Sequence, residues 1–91
     1  MIKLIDDYVI KVDSNNYILC IDKHKLNKKG ERVYENISYH STLNGAIYAC
    51  RNDIIKNQLA TVDIMSLNQA LNVIAKYNEE FENLLNKAIG D

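Results

Sequence analysis

Apolar residues alternate with polar ones up to about residue 40, and beyond that they recur every three or four positions. Tyr8, Ile10 and Val12 fall on one face at the strand period, with Val9 and Lys11 on the other. Asp13, Ser14, Asn15 and Asn16 are turn formers, because their short polar side chains bond locally and tolerate left-handed backbone. Residues 17–21 (Tyr-Ile-Leu-Cys-Ile) are apolar on both faces, which predicts a central strand with a neighbour on each side, paired as a hairpin with residues 8–12. Ile2 and Leu4 read as a backward extension of the first strand. Residues 23–30 read as a lysine-rich loop, with Gly30 at a turn position. A third strand follows over residues 32–39. Val33, Ile37 and Tyr39 should share one face, and Tyr34, Asn36, Ser38 and His40 the other.

The period then changes. Ser41 or Thr42 is placed to cap a helix whose inward stripe is Leu43, Ala46, Ile47, Cys50 and Ile54, ending over residues 58–60. Gly45 in its first turns costs about 1 kcal/mol against alanine, and a close backbone approach would account for it. Ser66-Leu67-Asn68-Gln69 has the spacing of a capping box. A long helix follows, to about residue 88 or 89, with Gly90 as its stop. Leu67, Ile74, Phe81 and Ala88 recur every seven residues, and Ala70, Tyr77 and Leu84 take the complementary position. Leu71 and Leu85 widen the stripe. The expected fold class is α+β: a three-stranded antiparallel sheet followed by two helices, in one domain spanning residues 1–91.

At 91 residues the core is small, and self-association is a common supplement to such a core. A helix of 23 residues runs ~34 Å, and strands of six to eight residues ~20–27 Å. The last turns should therefore overhang the sheet, leaving Tyr77, Phe81, Leu84 and Leu85 for a second copy of the chain.

Charge changes the picture in one respect. The net charge is −1, without the basic excess of a typical nucleic-acid-binding domain. It is uneven, however: residues 1–60 hold nine Lys/Arg against seven Asp/Glu, and residues 61–91 two against five. Cys20 and Cys50 read as buried thiols in a reducing compartment. No secretory leader or membrane-length apolar run is read from the chain, so the expected location is the cytoplasm and no membrane partner is expected.

The chemistry-bearing motifs are few. With three glycines, a phosphate-cradling loop is not expected, and no nucleophile elbow, zinc spacing or paired-carboxylate site is read. No enzyme activity, metal or cofactor is expected. The suggestive segment is Tyr39, His40, Ser41 and Thr42, where strand hands over to helix. A helix N-terminus attracts anions, and an aromatic ring beside it could stack a base. Arg51 and Lys56 add cationic reach along the helix. The basic stretch over residues 23–32 is a second contact candidate, though it lacks the interleaved aromatics of a single-strand binder.

Residues 8–10 (Tyr-Val-Ile), 16–19 (Asn-Tyr-Ile-Leu), 28–30 (Lys-Lys-Gly) and 37–43 (Ile-Ser-Tyr-His-Ser-Thr-Leu) resemble a family of small uncharacterised phage and prophage proteins. The resemblance implies a phage accessory protein that counters host immunity by binding, either as an oligomeric sponge for a nucleotide signal or as a protein-binding inhibitor of a host or CRISPR effector. The basic stretch over residues 23–32 leaves a third reading, a weak nucleic-acid binder, and the expected location is the host-cell cytoplasm. For the inhibitor the contact face would be the lysine stretch or the acidic last helix with Glu79, Glu80 and Glu82.

Overall fold

The computed structural model describes residues 1–90, with side-chain surroundings for residues 1–87. Ala88 and its share of the heptad stripe lie outside those described side chains. The architecture is α+β, but the antiparallel sheet has four strands rather than three: β1 (Ile2–Lys3), β2 (Tyr8–Val12), β3 (Tyr17–Leu26) and β4 (Arg32–His40), in that spatial order. Two helices follow, α1 (Leu43–Ala60) and α2 (Leu67–Gly90).

The extra strand arises because Ile2 does not extend β2. The chain reverses after Lys3, so that Ile2 faces Ile10 and Lys3 faces Val9. Asp6 makes the reversal with φ of +54°, and the Leu4 and Tyr8 amides close it on Tyr8 O and Ile5 O at 3.0 and 3.1 Å. A second correction concerns the lysine loop. β3 continues through residues 23–26, so the first half of that stretch is a hairpin arm. Only the turn between Leu26 and Arg32 remains, where Asn27 Oδ1 accepts from the amides of Lys29 and Glu31. Gly30 takes φ of +79° there, a conformation that glycine adopts without Cβ strain.

β3 is central, as its two apolar faces require. Ile10 and Leu19 are fully buried on one side of the sheet, while Val9, Ile18 and Cys20 form a buried cluster with Tyr34 on the other. A β-bulge in β4 corrects the expected facing. Leu19 pairs with Ser38 and Cys20 with Asn36, so Ile37 is the extra residue. Alternation slips by one across it. Tyr39 joins Tyr34 and Asn36 on the Cys20 side, and the Asn36 amide donates to Tyr39 Oη at 3.1 Å. Ser38 and His40 lie on the other side, bonded to each other at 2.7 Å.

The chain divides into two compact units, Met1–Cys50 and Arg51–Asp91. In the first, Ala46, Ile47 and Cys50 are buried, following the expected stripe of α1. Thr42 is the cap: its Oγ1 accepts from the Gly45 amide at 3.0 Å. A methyl group on Gly45 would lie 3.0 Å from that hydroxyl and 3.6 Å from His40 Nδ1; its three nearest neighbours are side-chain atoms, so the expected close backbone approach is not seen. In the second unit, Ile54, Ile55 and Phe81 are buried. The capping box of α2 is complete, with Ser66 Oγ accepting from the Gln69 amide and Gln69 Oε1 from the Ser66 amide, both at 3.1 Å.

α2 is strongly amphipathic, yet its apolar stripe is not exposed where the sequence suggests. Phe81 is only 3% exposed within a single chain, so it is not an uncovered anchor. Tyr77 and Leu85 are half-buried, and Leu84 is 40% exposed. At the start of the helix Leu67 and Leu71 are more exposed than Leu84, at 74% and 51%.

Candidate functional site

The strand-to-helix segment does not converge into a pocket. The bulge and the ordinary alternation of a strand put Tyr39 and His40 on opposite sides of β4. His40 is half-buried and bonded to Ser38, and the Thr42 hydroxyl is occupied as a helix cap. Ser41 is exposed. Tyr39 keeps 60% of its surface exposed, with its hydroxyl fixed by Asn36. Arg51 and Lys56 lie on α1 about two and a half and four turns past the cap. Arg51 Nη2 donates to Asn52 Oδ1 at 3.4 Å, and Lys56 is exposed.

The opposite end of β4 holds a built cluster. β3 and β4 lose register between Asp22 and Leu26, where three residues of β3 oppose one of β4. In this irregular stretch His24 takes φ of +55°, a conformation that costs a residue with a Cβ about 1 kcal/mol or more. Four side chains offset the strain. Asp22 Oδ1 accepts from the His24 amide at 2.8 Å, and Asp22 Oδ2 accepts from Arg32 Nε at 2.8 Å. His24 Nε2 contacts Asp7 Oδ1 at 2.6 Å, and Arg32 Nη2 contacts His24 Nδ1 at 3.3 Å.

The electrostatics follow from these contacts. The His24 amide, and then the Arg32 guanidinium, hold the Asp22 carboxyl below the ordinary aspartate value. The same carboxylate raises the pKa of Arg32. Asp22 is 15% exposed and sits inside the network, whereas Asp7, His24 and Arg32 are each more than half exposed and face solvent. They border an open cleft of about 170 Å³ whose other walls include Lys3, Leu4, Asp6 and Tyr8. A second hollow, between Lys25, Leu26, His24 and Arg32, adjoins it. Residues 23–32 hold five cations and Glu31, but Lys23 is paired with Glu35 at 3.2 Å and Arg32 with Asp22 at 2.8 Å. Leu26 lies in this stretch with 67% of its surface exposed.

Chemically this end is suited to contact. Both nitrogens of His24 are engaged, and the walls of the cleft carry no serine, threonine or cysteine. The thiol of Cys20 is buried on the Val9 side of the sheet, donates to Asn36 Oδ1 at 3.2 Å, and has its pKa raised chiefly by that burial. Among the described residues no group of three or more His, Cys, Asp or Glu is placed to hold a metal ion. No described helix is long and apolar enough to cross a membrane.

Sequence reasoning reached the basic stretch but not the cluster. Asp7, Asp22, His24 and Arg32 are scattered over 26 positions without a motif spacing. They meet through the register of three strands and an unusual backbone angle at a histidine, neither of which has a signature in the sequence. Comparison with known proteins found no matching family model, no matching curated protein and no matching solved structure.

Proposed function

We propose that the chain is a non-catalytic binding protein, in the phage accessory role its resemblance implies, and that it acts by gripping a partner protein with an acidic surface. The contact face in this reading is the far end of the β3–β4 hairpin. The observation that carries it is Leu26, 67% exposed beside Lys25, Lys28 and Lys29, with Lys23 and Arg32 at the edge paired to Glu35 and Asp22. A bare aliphatic side chain gives little to a phosphate backbone, and single-strand binders stack bases on aromatic rings instead. An apolar centre with a charged rim is the anatomy of a protein interface. The Asp22–Arg32 and Asp7–His24 pairs support the reading, because a contact surface held in shape beforehand loses less entropy on binding.

A second reading, capture of a nucleotide signal, is favoured by the Tyr39 ring, exposed and with its hydroxyl held by Asn36. One experiment separates the two. The immobilised protein and its Leu26→Asp variant are exposed to bacterial host extract, with and without nuclease, and in parallel titrated with cyclic dinucleotides and ADP-ribose-type signals in a thermal-shift assay. The first reading expects a stoichiometric, nuclease-resistant protein that Leu26→Asp fails to retain. A clean bait, or a partner that nuclease removes, overturns it. Stabilisation by a nucleotide that Tyr39→Ala abolishes would establish the second reading, and a flat response across the panel removes it.

A further inference from the structure

We propose that the chain pairs with a second copy of itself through the start of α2 and the connector leading into it, not through the Phe81 end. Four large aliphatic side chains are bare within ten residues: Val62 (46% exposed), Ile64 (90%), Leu67 (74%) and Leu71 (51%). Leu67 and Leu71 are one helical turn apart and share a face. At these exposures the four present on the order of 400 Å² of apolar surface, the size at which a patch on a monomer marks an interaction site.

The identity of the occupant follows from the charge pattern. Residues 64–75 contain no charged side chain, so the exposed Asp63 between Val62 and Ile64 is the one charge within the patch, while residues 76–87 contain Lys76, Glu79, Glu80, Glu82 and Lys87. In a twofold interface each surface meets its own copy, so a surface of one charge repels itself. Three glutamates beside Phe81 make that half of α2 a poor self-contact. The rim around Leu67 and Leu71 is instead Asn68 and Asn72, both exposed, and side-chain amides donate and accept at once. An amide rim is complementary to itself in a way that a lysine or glutamate rim is not. An antiparallel crossing centred near residue 69 sets the uncharged stretch against its own copy. Two copies would bury roughly 800 Å² from the four aliphatic side chains alone, and Met65 and the amide rim carry this toward the ~1,200 Å² at which specific interfaces begin. This surface is separate from the β3–β4 hairpin, and the inference does not depend on what that hairpin binds.

Sedimentation equilibrium of the full chain from about 1 to 200 µM tests the proposal, because pairing is concentration-driven. The expected mass rises from 10.4 kDa to twice that value. Leu71→Asp should hold the chain at the monomer mass with an unchanged circular dichroism spectrum. If Leu71→Asp loses helicity, Ile64→Asp decides, since it lies in the exposed connector outside both helices. A wild-type chain that stays at 10.4 kDa at the highest concentration overturns the pairing. An assembly larger than two copies overturns the twofold geometry. A dimer that survives both substitutions, or that only Leu84→Asp dissociates, overturns the location.

Discussion

At the Arg32 end of β4, polar side chains close a network among themselves and leave Asp7, His24 and Arg32 on the surface. At the His40 end, similar groups are consumed by local structure: the Thr42 hydroxyl caps α1, and Ser38 bonds the His40 ring, which lies against Gly45. Both ends contain a histidine and an irregularity in the β3–β4 ladder, with the extra residues in β3 at one end and in β4 at the other. They differ in what the irregularity does. The bulge at Ile37 moves Tyr39 onto the Tyr34 and Asn36 side, while ordinary alternation parts it from His40. The stretch between Asp22 and Leu26 swings His24 toward Asp7 and creates a constellation that the sequence does not display. A polar residue near a helix start is therefore weak evidence for a ligand until its hydrogen-bonding capacity has been accounted for.

The sharpest way to break this comparison is at the cap. Thr42→Ala should destabilise the protein by about 1 kcal/mol, and at most about 2, measured by urea denaturation, because the Gly45 amide loses its acceptor. A Thr42→Ala protein of unchanged stability would return that hydroxyl to the pool of groups available to a ligand. At the other end, His24→Gly should be more stable than His24→Ala by about 1 kcal/mol, since glycine alone relieves the left-handed backbone. Both variants lose the Asp7 contact equally, so their difference isolates the backbone strain. Equal stability of the two would mean that the histidine is not held in that conformation in solution.

The smallest effect expected is in pH dependence. The folded pKa of Asp22 lies below its ordinary value of 3.8, so the folded chain binds this proton more weakly than the unfolded chain does. The stability it contributes is complete above that ordinary value and is lost as pH falls through the lower, folded value. Asp22→Asn should be less stable than wild type near neutrality, and the gap should narrow as pH drops below 3.8 in acid-titrated thermal melts. A gap that stays constant through that window would mean that the Arg32 and His24 contacts contribute nothing specific to the ionised form.

Much of the fold was legible because local chemistry settles it. The central strand announces itself by being apolar on both faces, the α2 capping box by Ser66 and Gln69 at the right spacing, and α1 by the stripe from Leu43 to Ile54. The strand β1 was missed because a two-residue strand has no period to read, and its reversal depends on Asp6 adopting a positive φ. The true length of β3 was hidden by its lysines. A strand at the far end of a hairpin is solvated on both faces, so composition there looks like a loop.

The sequence by itself determined the α+β order, the central strand, the capping box of α2 and the uncharged run from residue 64 to residue 75. Each is set by a period, or by a side chain bonding to backbone a few positions away, and needs no distant partner. Tertiary structure alone decided which face Tyr39 takes, that Asp7 meets His24, and which end of α2 is the more exposed. Those outcomes depend on strand register and on burial. One extra residue in a ladder inverts every side chain beyond it, and only the completed packing shows which apolar residues are already covered.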